Sequence, residues 1–245
     1  MADALRPLRW PCPGSGEDGE WALVAGDPVA STCPRPTPPA RGGKDCARVL
    51  IVPPLFDEMN RARAMLVAVM RGLAAAGIAA VMPDLTGCGE SVQDFAAQSL
   101  NAWRGAMAAA ARHFGASHVL ALRGGALVAP PALPGWALDP LHGDAVLRPL
   151  LRAAALAARA RGEESGVAAL LEQGRAQGLV LGGYRCGAAL IAGLQGATMQ
   201  GEGLRTLALA DLQAPGPAPW LRQEPVPAPA LAAALAARVA QDLGV

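Results

Sequence analysis

The stretch "SHVLALRGGALVAP", residues 117–130, decides how the rest of the chain is read. Its first half, His118 to Leu122, is an unbroken apolar run, short enough for a strand buried on both faces. Gly124 and Gly125 follow, and paired glycines let the backbone turn where a Cβ would obstruct it. Behind them a helix-like apolar segment runs to Pro130 and Pro131, which interrupt it. A strand that enters a glycine corner and leaves as a helix puts one residue at the apex. In α/β folds that apex lies at the carboxyl edge of the sheet, where polar chemistry gathers. The residue there is Arg123.

The same rhythm extends in both directions. "RVLIVPP" (48–54) is a β-branched run stopped by two prolines, the mark of a buried parallel strand. Residues 60–78 place Met65, Leu66, Val69, Met70 and Leu73 at helical spacing, with Gly77 as the stop. A strand over 79–85, a glycine turn, a helix over 97–115, and strands over 118–125 and 135–140 follow. Strand and helix alternating in this way predict right-handed βαβ units and a three-layer α/β sandwich with a mostly parallel sheet. Upstream, 19–28 reads as a short strand and 29–47, rich in Pro and Gly, as loop. Downstream, 144–178 is amphipathic and helical, a small cap or inserted helix pair. "LVLGG" (179–183) is a strand candidate, 204–212 a last strand, the proline-rich run after it extended, and 230–245 a terminal helix. With no internal repeat, 1–245 reads as one domain.

Composition narrows the functions. Lys+Arg is 21 and Asp+Glu 20, a net charge of +1, without the basic excess that nucleic acid or an anionic membrane would select. Five scattered cysteines with no C-x-x-C pair, and three dispersed histidines, give no zinc signature; neither metal nor cofactor is expected. Such cysteine usage fits a reduced compartment. The first residues have no apolar signal core, and no run of about 18 apolar residues is uninterrupted, so membrane insertion is not expected and the cytoplasm is.

Positions 121–125 align with G-x-S-x-G, the corner that displays a catalytic serine on a strained strand-to-helix turn. The small residues Ala121 and Gly125 are kept, but Arg123 replaces the serine and Gly124 follows it. A guanidinium stays protonated and cannot attack. It could hold an anion by paired hydrogen bonds, or simply pair with a carboxylate such as Glu58 or Glu90. His142 is the one histidine after Arg123, and it comes too early for the loop after the last strand, where a triad base belongs. That loop, "PGPAPWLRQE", has none. "MPDLTGCGES" (82–91) matches a D-x-x-G-x-G-x-S turn built on Asp84, Gly87, Gly89 and Ser91. Cys88 within it is either a small buried thiol or a thiolate activated by a cation such as Arg123. In "VPPLFDEMNRARAM" (52–65) Asp57, Glu58, Asn60, Arg61 and Arg63 crowd a helix start. Asn60 could cap it and the carboxylates suit its dipole, or the cluster serves a site. Asp139 and His142 form either a loop pair or part of that site.

These segments, with "WALDPLHGDAVLRPLLR", resemble in order the signatures of the exosortase A system-associated hydrolase 2 family, from about residue 20 onward. The resemblance implies a bacterial α/β-hydrolase fold encoded beside exopolysaccharide and protein-sorting loci, with arginine as the usual apex residue. Between "LRTLALADLQ" and "PGPAPW" the family carries a further helix and strand that are missing here, so the sheet should be short at its C-terminal edge. Three functions follow as expectations. The first is a non-catalytic protein binding a small anionic or acyl ligand, or a protein partner in polysaccharide biosynthesis, through Arg123, Glu58, Asn60, Arg63, Gly124, Asp139 and His142. The second is an esterase-like enzyme using Cys88 or a Glu58-activated water. The third is a scaffold with a vestigial pocket. An arginine aimed into an open cleft favours the first, and one held in an ion pair favours the third.

Overall fold

The computed structural model describes residues 5–26, 47–163 and 165–245, so the loop expected at 29–47 lies almost wholly outside the described residues. Strands β1 (Arg6–Trp10) and β2 (Glu20–Ala25) form an antiparallel pair, and β2 runs antiparallel to β4 (Ala79–Pro83). β3 (Arg48–Val52), β5 (His118–Leu122), β6 (Gly135–Leu138) and β9 (Leu204–Leu207) continue the sheet in parallel, in the order β1-β2-β4-β3-β5-β6-β9. β9 ends the sheet, as the shortened C-terminal edge predicts.

The central strands are apolar on both faces because both are covered. Val49, Ile51, Leu120, Leu122 and Trp136 pack against helices α1 (Asp57–Ala75) and α6 (Pro229–Asp242). Leu50, Val52, Val119, Ala121 and Ala137 pack against α2 (Leu100–His113) and the elements inserted between β6 and β9. A Cβ on Gly72 would meet Ala236 Cβ at 2.8 Å, so this glycine lets α1 and α6 approach closely. Ser99 caps α2 by accepting the Ala102 N–H at 3.1 Å.

Several local expectations change. β1 carries no strong apolar signal and was not expected; Arg6, Pro7 and Arg9 are exposed, Leu8 is half-buried, and only Trp10 is buried. α1 begins at Asp57, not 60, so Asn60 sits exposed inside its first turn and does not cap it. The cap position belongs to Phe56, at φ +56°. The helix expected after the glycine corner is a single 3-10 turn, Arg123–Leu127. The 144–178 segment is two helices, α3 (Gly143–Ala160) and α4 (Val167–Gln177). "LVLGG" does hold a strand, and among the described residues it lies apart from the main sheet: β7 (Leu179–Leu181) pairs with β8 (Tyr184–Cys186), through a Gly182–Gly183 turn with both glycines at positive φ. α5 (Ala188–Leu194) follows, and the strand expected to reach 212 stops at Leu207. Among the described residues, no helix is long and apolar enough to cross a membrane.

Candidate functional site

Arg123 stands at the apex of the corner with φ +53°, a left-handed backbone that costs a side-chain-bearing residue about 1–3 kcal/mol. The corner is kept tight from below. A Cβ on Gly125 would lie 2.2 Å from the Pro53 carbonyl oxygen, so only glycine lets the turn sit against the end of β3. Strain recurs along this edge. The four non-glycine residues at positive φ among those described are Phe56, Arg123, Asp139 and Gln213, which follow β3, β5, β6 and β9.

The guanidinium is bound from both sides of β5. Its Nε and Nη2 donate to the two oxygens of Glu58 at 3.0 and 3.1 Å, a fork-on-fork pair. Nη1 donates to Asp139 Oδ2 at 2.7 Å and to the Asp139 carbonyl at 3.2 Å. The Trp220 ring lies beside it, 5.5 Å from centroid to guanidinium carbon. The Arg123 side chain keeps 13% of its exposure, Glu58 26% and Asp139 40%. Glu58 comes from the first turn of α1, after β3, and Asp139 from the end of β6. Three neighbouring strand ends are therefore stapled through one cation. Trp220 comes from the loop after β9, where a triad base would come from.

Pro53 and Pro54 offer no backbone N–H where a hydrolase takes one for its oxyanion hole. Val146 and Leu55 crowd Gly124, each within 3.2 Å of where its Cβ would stand. Glu58, Asp139 and Gly124 thus meet at Arg123, while the other residues expected there do not. Arg63 pairs with the buried Asp84 at 3.2 Å. Asn60 is exposed, and exposed His142 occupies the cap position of α3, making no side-chain cap bond and leaving Asp139 to Arg123. Glu90 is exposed and gives its backbone N–H to Asp84.

Among the described residues, the charges that act on Cys88 are carboxylates, not the cation that would activate it. Burial, then the Asp84 and Glu20 carboxylates, push its thiol up to about 12. The turn around it is structural: Ser91 Oγ accepts from Gly87 N and donates to Glu20 Oε1 at 2.9 Å. Gly89, at φ +58°, makes room for the Asp84 carboxylate. Glu20 is 1% exposed, and burial first, with Asp84 adding to it, raises its pKa against the opposing Ser91 bond and Arg9. Two participants escaped the sequence reading. For Trp220 the available signal was its place in the post-β9 loop, and for Glu20 a lone carboxylate inside the apolar "EWALVA". No group of His, Cys, Asp and Glu among the described residues could hold a metal ion.

No protein-family model and no curated protein matches the chain. Several solved structures do. A protein of Agrobacterium vitis S4 described only as a candidate hydrolase is 16% identical with a TM-score of 0.40, over 62% of this chain and 61% of its own. An epoxide hydrolase from Vigna radiata is 16% identical with a TM-score of 0.36, over 56% and 41%. One from Solanum tuberosum is 16% identical with a TM-score of 0.38, over 55% and 40%. The match thus spans less than two thirds of the length of these relatives. At that level the likeness says nothing of activity. The strand order, the antiparallel β2 and the tight corner after β5 give the fold by themselves: it is that of the α/β hydrolases.

Proposed function

We propose that this chain is a non-hydrolytic protein on an α/β-hydrolase fold, and that its former catalytic corner binds the fold together instead of seating a substrate. One observation carries the reading: the apex side chain is Arg123, with four of its five N–H donors committed to Glu58 and Asp139. A permanently protonated group cannot attack a carbonyl, and a guanidinium already neutralised by two carboxylates has little charge left to offer an anionic ligand. This favours a scaffold or partner-binding role over ligand capture at Arg123. Ligand capture would need the half-exposed Asp139 to be displaced. The ordered motifs from "PPLFDEMN" to "PAPWLRQE" support kinship with the exosortase A system-associated hydrolase 2 proteins, hence a cytoplasmic role beside exopolysaccharide assembly.

The test is a screen of the purified protein with activity-based probes for serine and cysteine hydrolases, run alongside p-nitrophenyl ester turnover. No labelling and no turnover above buffer is expected. Turnover that disappears in Cys88→Ala or Glu58→Gln would overturn the proposal.

A further inference from the structure

We infer that a cavity away from the Arg123 corner, between the β1–β2 connection and α2, is a binding site for a small neutral molecule carrying hydroxyl groups. The cavity holds about 340 Å³ and is lined by Thr86, Gln93, Gln98, Pro13, Ala102 and Gly105, among others. That size lies within the range of small-molecule sites. None of its lining side chains is ionisable, so a charged ligand would be desolvated there without a counter-ion.

The wall states which groups it wants. Thr86 and Gln98 are 5% and 8% exposed. Thr86 Oγ1 spends its one proton on Gln98 Oε1, at 2.5 Å, which leaves the hydroxyl oxygen as an unused acceptor. Gln98 Nε2 gives one N–H to the Asp94 carbonyl at 3.0 Å, and nothing among the described residues takes the other. A hydroxyl answers such a donor and acceptor pair from a single atom. At the rim, the Gln93 carboxamide makes no side-chain hydrogen bond among the described residues. Pro13 and Ala102 supply surface for C–H groups. The wall is also preformed: Trp103 Nε1 donates to the Thr86 carbonyl at 2.9 Å, and Ser91 Oγ accepts from Gln93 N at 3.2 Å.

Gly105 gives an independent pointer. It lies inside α2, where glycine costs about 1 kcal/mol relative to alanine. Among the described residues a Cβ there would meet nothing within 4 Å, so packing against them does not require glycine. Close approach of a ligand to the helix backbone would.

Amide spectra of the full chain titrated with glycerol, myo-inositol and D-glucose, and separately with inorganic phosphate and acetate, test the inference. Saturable shifts of the Gln93 and Gln98 side-chain amides and the Gly105 amide are expected with at least one polyol and with neither anion. Gly105→Leu, which has room to fold, should abolish them, and Gln93→Ala at the rim should weaken them. The inference fails if no polyol saturates, if phosphate or acetate does, or if Gly105→Leu responds like the parent.

Discussion

Replacing Glu58 by alanine removes one half of a fork-on-fork pair and leaves Arg123, seven-eighths covered, with Asp139 alone. Stranding one partner of a fully buried pair costs about 3–5 kcal/mol, whereas an exposed pair contributes about 0–1. Glu58 keeps a quarter of its exposure, so solvent recovers part of the loss, and the expected cost of Glu58→Ala is about 2–3 kcal/mol. For a domain of this length each kcal/mol moves the midpoint by about 2–4 °C, which gives a fall of about 4–12 °C. Asp139→Asn should behave differently. The aspartate is 40% exposed, its attraction is screened, and asparagine tolerates the φ of +46° at this position, so the change should stay within about 1 kcal/mol. Urea and thermal unfolding followed by circular dichroism would measure both, with Glu172→Ala, in a surface pair with Arg175, as reference. Arg123→Leu combined with Glu58→Leu should cost less than the two single changes added together, since neither member of the Arg123–Glu58 pair is then stranded and the Asp139 carboxylate, 40% exposed, is left to solvent. If Glu58→Ala is no more damaging than Glu172→Ala, the corner is not a staple and the proposed use of the old site fails with it.

Other consequences follow from single contacts. Glu20 titrates above its unfolded value, about 4.3, because it is buried, so the native state retains its proton longer and loses stability as pH rises through that window. Glu20→Gln should therefore be more stable than the parent at pH 7 in urea titrations, an advantage that vanishes below about pH 4. Asp242 has the opposite sign. Burial opposes its ionisation, but the Trp136 indole bond, Arg205 and Arg238 outweigh it and hold the carboxyl below its ordinary range. Its stabilisation is present above about pH 4 and lost as pH falls further, so the deficit of Asp242→Asn should shrink in acid. Gly125→Ala drives a methyl into the Pro53 carbonyl and should cost about 3 kcal/mol or prevent folding, while Gly105→Ala should add about 0.5–1 kcal/mol, both read from unfolding midpoints. With burial pushing its thiol up to about 12, Cys88 stays protonated at pH 8, so peptide mapping after brief iodoacetamide treatment should find Cys88 unmodified until the protein is denatured.

The layered fold was legible because its signals are local. β3 and β5 are unbroken apolar runs, and Gly77, at φ +79°, stops α1 where the pattern ends. Arg123 at the apex could be read for the same reason, since the corner needs small residues at fixed offsets from it. The partners of Arg123 were only partly legible. Glu58 looked like one member of a crowded helix start, and nothing in its spacing separated it from Asp57, which pairs instead with Arg61 one turn along. Asp139 and His142 are close in chain, yet the backbone at Asp139 turns its carboxylate toward β5 while His142 begins α3 facing solvent. β7 was legible as a strand, but its partner was not: three residues carry no pairing signal, and β7 pairs with the next strand across a glycine pair.

An arginine can hold the place of a nucleophile because the features that expose a nucleophile also bring its neighbours within reach. The corner lifts residue 123 above the ends of β3 and β6, which flank β5 in the sheet. A short hydroxyl there would reach only what is brought to it, whereas a guanidinium extends far enough to meet carboxylates from both flanking connections at once. Left-handed backbone at Arg123 and Asp139 is strain that an enzyme would spend on presenting a reacting group. In this chain the same strain is met by four charge-assisted or carbonyl-directed hydrogen bonds, and the Trp220 ring, from the loop after β9, lies beside the cation. On this strand order the corner carries a long cation at its apex, an acid from the connection on either side of it, and an indole beside them.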